Sequence, residues 1–227
     1  MNLIDTDNFT REIAAAATRC FSDLLSEIGD ESDVYGFALY TVDDLAGINP
    51  SASTELGFQS RRGKLLNDNK QIGWLKKNNI DVDACLLGDY RWSVYEWEYE
   101  CYGHSNFDKS SEILSHSVQK LSDDVVDGYT ILTAQALACL TVALSHLKTE
   151  PIFRDLETQP ILFCSKPSSA DTTWLEHESA RILNDDNQFA IFKRERLDWI
   201  FEDGDLESES VAIFRKTVDS LQRNNGG

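Results

Sequence analysis

Val34-Tyr35-Gly36-Phe37-Ala38-Leu39-Tyr40-Thr41 is the stretch on which the fold turns. Its β-branched and aromatic residues predict a strand, and apolar side chains fall on both alternating faces. Such a strand must be covered on both sides, which places it centrally in a sheet packed between other layers. Val42-Asp43-Asp44 reads as a turn, and Leu45 to Asn49 as a short antiparallel partner ended by Pro50. Ser51 or Ser53 is placed to cap a short helix through Glu55 and Phe58.

Helices flank this hairpin. Ahead of it, Ile13, Ala17, Cys20, Phe21, Leu24 and Ile28 recur at three- and four-residue steps, with Asp7 or Thr6 as cap and Gly29 as terminator. Behind it, Phe107 to Asp124 predicts a helix with Ile113, Leu114, Val118 and Leu121 on one side. Asp127 to Leu147 is apolar nearly all round, as a central buried helix would be. Pro160 to Cys164 reads as a second buried strand. Asp171 or Thr172 then caps a helix through Trp174 and Leu183, Gln188 to Ile200 forms a further segment, and Val211, Phe214, Val218 and Leu221 share one face of a last helix.

Two stretches stand apart. Residues 61 to 89 hold Arg61, Arg62, Lys64, Lys76 and Lys77 among turn-forming asparagines, and read as an excursion carrying one short helix. Residues 90 to 100, Tyr-Arg-Trp-Ser-Val-Tyr-Glu-Trp-Glu-Tyr-Glu, concentrate two of the five tryptophans and three of the seven tyrosines. Large aromatics at this density anchor a core or an interface. The whole predicts one compact α+β domain, a small mostly antiparallel sheet against several helices. Residues 1–200 form that domain, with an acidic loop and helix at 201–227 appended.

Composition narrows the function. Of 227 residues, 39 are Asp or Glu and 21 are Lys or Arg, a net charge of −18. Such a field disfavours nucleic acid and anionic membrane surfaces, and favours a basic protein partner drawn in electrostatically. Five cysteines without C-x-x-C spacing fit a reducing compartment, and the N-terminal residues lack the basic and apolar regions of a signal peptide. A cytoplasmic protein is expected.

Chemistry-bearing motifs are sparse. His104, His116, His146 and His177 lack paired metal-ligand spacing, so no metal and no cofactor is expected. Cys101 and His104 are close enough in sequence to consider as a nucleophile–base pair, on spacing alone. The acid pairs Asp43-Asp44, Asp123-Asp124, Asp185-Asp186 and Glu202-Asp203 look like caps and solvated faces. They offer none of the contrast in environment that acid–base catalysis requires. Arg91, Trp92, Glu96 and Trp97 are open to two readings. One is a recognition surface, since Trp and Arg dominate binding hot spots; the other is an Arg–Glu pair with two tryptophans packed on the sheet. Glu202, Asp203, Asp205 and Glu207, in a run free of Lys and Arg, form either a solvated loop or an acidic mimic that enters a basic cleft.

Tyr35-Gly36-Phe37-Ala38-Leu39-Tyr40-Thr41, Pro50 with Ala52-Ser53-Thr54-Glu55, and Arg91-Trp92-Ser93 with Glu96-Trp97-Glu98-Tyr99-Glu100 together resemble a bacterial family, domain of unknown function 4303. Trp174, Glu178-Ser179-Ala180 and Leu183-Asn184 are similar to its C-terminal portion. The resemblance spans roughly residues 8 to 195, and the 61 to 89 excursion and the tail after 200 look like additions. It implies a fold and supplies no catalytic residues. By analogy with small bacterial immunity proteins, the expectation is a non-enzymatic inhibitor that blocks a basic toxin domain. An enzyme of unrecognised type, with a pocket near Arg91 and Glu96, and a self-associating module using the 211 to 221 face are the alternatives.

Overall fold

The computed structural model describes residues 2–29, 33–42, 44–121, 127–166, 173–197 and 209–225. It is an α+β domain built on a three-stranded sheet, with β1 (Val34–Thr41) between β2 (Ile48–Thr54) and β3 (Ile161–Ser165). β2 runs antiparallel to β1 and β3 parallel, so the sheet is mixed. Pro50 does not end the hairpin partner as expected; it lies inside β2, opposite Leu39. β2 is an edge strand, where Pro is accommodated at positions whose N–H would face away from the neighbouring strand.

Both faces of β1 are covered, as its sequence requires. Phe37 and Leu39, with Leu162 and Cys164 of β3, join the principal core. That core is centred on α6 (Gly128–Leu147), against which α1 (Thr6–Ile28) and α10 (Glu209–Asn225) both pack. α6 is long and apolar enough to cross a membrane, with a mean hydropathy of 1.5, yet 78% of that window is buried inside the chain. Asp5, one residue ahead of the expected caps, caps α1 by accepting from Asn8 N at 3.1 Å, and Gly29 ends the helix at φ 73°. The face of α10 that carries Val211, Phe214, Val218 and Leu221 is buried in the same core. It is occupied within the chain and offers no surface to a second copy.

The opposite face of the sheet carries Ala38, Tyr40, Ile161 and Phe163 beneath Trp92, Trp97 and Phe192. An irregular register between Val34 and Gly36 turns Tyr35 to this side as well. Gly36 is what lets the indole down onto the strand: a Cβ there would sit 2.9 Å from Trp97 Cη2.

The segment after β2 is more helical than expected. Thr54 caps α2 (Glu55–Asn67) through Gly57 N at 3.0 Å, and α3 (Asn69–Lys77) and α4 (Val82–Cys85) follow, the last continuing as a wide helical turn over Leu86–Arg91. Leu65, Leu75, Cys85 and Leu86 give this excursion a small core of its own. α5 (Asp108–Gln119), α7 (Pro151–Arg154), α8 (Thr173–Leu183) and α9 (Asp186–Phe192) complete the α-helices among the described residues. The expected caps Asp171 and Thr172 lie outside those residues.

Candidate functional site

The aromatic stretch divides by direction. Trp92 and Trp97 point inward, 1% and 3% exposed, and pack edge-on to Tyr35 at 5.4 and 6.1 Å between ring centroids. Their indole N–H groups are satisfied internally: Trp92 Nε1 donates to Glu195 Oε2 at 3.1 Å, and Trp97 Nε1 to the Arg91 carbonyl at 2.7 Å. Neither tryptophan presents surface to a partner. Tyr95, Glu96 and Glu100 face solvent. Tyr95 stands edge-on to Tyr40 at 5.2 Å, and Tyr40 Oη donates to Glu100 Oε1 at 2.8 Å.

Arg91 is half-buried and engaged within the chain. Its guanidinium lies over Tyr35 at 4.3 Å and Phe58 at 4.8 Å, while Glu55 approaches Nη1 at 2.9 Å and Glu195 approaches Nε at 3.4 Å. The last contact is charge attraction without hydrogen-bond geometry, since Arg91 Nε has no hydrogen-bond partner. Arg91 is thus engaged by partners within the fold, while Glu96 is exposed. Two surface cavities, of about 450 and 560 Å³, lie elsewhere, one against Thr10, Arg11 and His146 and the other against Asn2 to Asp7 and Lys120.

A second network sits where β2 meets α2. The Glu98 carboxylate accepts from Ser53 Oγ at 2.9 Å, Thr54 N at 2.7 Å and Thr54 Oγ1, and pairs with Arg61. Burial alone would raise the Glu98 pKa, but the Thr54 and Arg61 hydrogen bonds outweigh it and hold the carboxyl below its usual range. Arg61 also donates to Ser53 Oγ at 2.7 Å and Tyr35 Oη at 3.3 Å. A third network joins α8 to its neighbours. Glu176 accepts from Ser165 Oγ at 2.6 Å and Arg196 Nε at 2.9 Å, and Glu178 from Arg215, Arg181 and His177.

These networks put arginines to structural use. Arg61, Arg91, Arg196 and Arg215 each neutralise a glutamate that the fold draws in from a distant part of the chain. Sequence spacing carries no trace of them, because the partners of Arg91, Arg196 and Arg215 lie 20 or more residues away on other elements. Charges cancel in pairs there.

Cys101 does not form a pair with the His104 side chain. Its Sγ lies 3.2 Å from Tyr40 Oη and 3.7 Å from Asn49 Oδ1. Among the described residues no cluster of three or more His, Cys, Asp and Glu could hold a metal. Glu202, Asp203, Asp205 and Glu207 lie outside the described residues.

What the fold and these networks define is a small α+β domain with an inward-facing aromatic platform, held by arginine–glutamate pairs. The model of the family described as domain of unknown function (DUF4303) matches residues 13–185, and the chain belongs to that family. The matched span includes residues 61 to 89 and ends before α10. Comparison with curated proteins and with solved structures gave no match.

Proposed function

We propose that this protein is a non-enzymatic, immunity-like binding protein that occupies and blocks a basic toxin domain in the cytoplasm. The observation that carries this reading is the outer edge of the aromatic stretch. Tyr95 is 39% exposed beside exposed Glu96 and Glu100, and the neighbouring arginines Arg61 and Arg91 are engaged internally. An aromatic anchor within an acidic rim is suited to a basic partner, and the −18 field would accelerate its approach. The recognition residues thus become Tyr95, Glu96 and Glu100, with Trp92 and Trp97 as the platform beneath. Five free cysteines, four of them buried, suit a reducing cytoplasm.

The test is capture from the native host with tagged wild type and a Tyr95→Ala/Glu96→Lys/Glu100→Lys variant, with mass spectrometry of the retained protein. A single basic partner held by the wild type and lost from the variant supports the reading. Equal retention by both proteins places the interface elsewhere, and recovery of the bait alone contradicts it.

A further inference from the structure

The surface of α2 and α3 has a character opposite to that of the rest of the chain. Between Arg61 and Lys77 there are six Lys or Arg and one acid, Asp68, in a protein of net charge −18. Arg61 is paired with Glu98, but Arg62, Lys64, Lys70, Lys76 and Lys77 are exposed and form no ion pair among the described residues. The Asp68 carboxylate is engaged as the cap of α3, accepting from Lys70 N at 2.9 Å and Gln71 N at 3.0 Å.

Within this positive field sits a tryptophan that the fold does not use. On α3, Leu75 and Ile72 face the small core of the excursion. Lys70, Trp74 and Lys77, spaced four and three residues apart, share the opposite face. Trp74 is 58% exposed, and Leu66, at the end of α2, is 44% exposed. An exposed indole between two unpaired lysines, on a helix anchored from behind, has the composition of a binding hot spot.

We propose that this face is a docking surface for an acidic protein segment carrying an apolar side chain, separate from the Tyr95 rim. Charge complementarity selects that occupant. A second copy docked symmetrically would set lysines against lysines. Membrane or nucleic acid would bring the other acids of the chain against an anionic surface. One aromatic anchor with basic flanks is also too little apolar surface for an interfacial helix.

The experiment uses the full chain and a fluorescein-labelled helical peptide of glutamates with leucines on one face. Its lysine-substituted twin, phosphatidylserine vesicles and a single-stranded oligonucleotide serve as competitors, with binding followed by anisotropy. The expected result is salt-sensitive binding of the acidic peptide alone, weakened at least about tenfold by Trp74→Ala and by Lys70→Glu/Lys77→Glu. Lys216→Glu, on the exposed side of α10, should leave it unchanged. Because Trp74, Lys70 and Lys77 are exposed, circular dichroism should report intact folding in every variant. Peptide binding indifferent to these substitutions would overturn the proposal. So would preferential capture of vesicles or oligonucleotide, or self-association that Trp74→Ala abolishes.

Discussion

Arg215 on α10 holds Glu178 on α8 through two nitrogens, Nε at 2.8 Å and Nη2 at 3.0 Å. Arg181 and His177 approach the same carboxylate at 3.1 and 3.2 Å, and its side chain is 1% exposed. The last helix, beyond the family-matched span, is thereby tied by charge as well as by its apolar face.

That tie is pH-dependent. Burial works to raise the Glu178 pKa, but the hydrogen bonds from His177, Arg215 and Arg181 reverse the sign and hold it well below the usual carboxylate range. A depressed folded-state pKa contributes stability in full above the unfolded value of about 4.3, and that contribution is lost as pH falls through the lower folded value. Glu178→Gln should therefore cost about 2 kcal/mol at neutral pH, with the gap from wild type closing on acidification. Urea melts at several pH values check this.

Gly57 lies directly over the Glu98 carboxylate, where a Cβ would fall 2.0 Å from Oε1. The carboxylate is pinned by Ser53, Thr54 and Arg61 and cannot simply swing away. Gly57→Ala should destabilise by about 1–3 kcal/mol. In a Glu98→Ala background most of that penalty should vanish, which a double-mutant cycle measures.

Trp92→Ala and Trp97→Ala should each lose about 3–5 kcal/mol of stability, since both indoles are buried over the sheet in one cluster with Phe163 and Phe192. Tyr95→Ala, three residues from one and two from the other, should change stability little and partner capture strongly. Thermal melts beside the pull-down separate the two effects.

Thiol reactivity should follow burial. Desolvation pushes the Cys20, Cys139 and Cys164 thiols up to about 12, and Cys85 is buried as well. Cys101 is the partly exposed thiol. A disulfide reagent at mildly alkaline pH should label one site quickly in the native protein, and Cys101→Ser should remove that fast phase.

The fold was legible where periodicity was strong. The two-faced strand at Val34–Thr41, the all-round apolar helix at 128–147 and the amphipathic first and last helices all announce themselves through spacing. The hairpin partner is shorter in the sequence than in the fold because Pro50 reads as a stop, and only the sheet topology reveals that it lies on an edge. The excursion is more helical than its sequence suggests, because its asparagines favour turns while Leu65, Leu75 and Leu86 pack into a small core. At the site, the density of aromatics marked the right stretch without telling which side chains point inward. That depends on the approach of Trp97 to Gly36 and on glutamates such as Glu195, contributed from the other end of the chain.

The proposed block of a basic toxin domain is read out by titrating the purified chain into the activity of its captured partner. Activity should fall in proportion to added protein and reach its floor at an equimolar ratio. The inhibition should be relieved by high salt and absent from the Tyr95→Ala/Glu96→Lys/Glu100→Lys variant. Inactivation at far below equimolar amounts, or a bound partner that retains full activity, would contradict it.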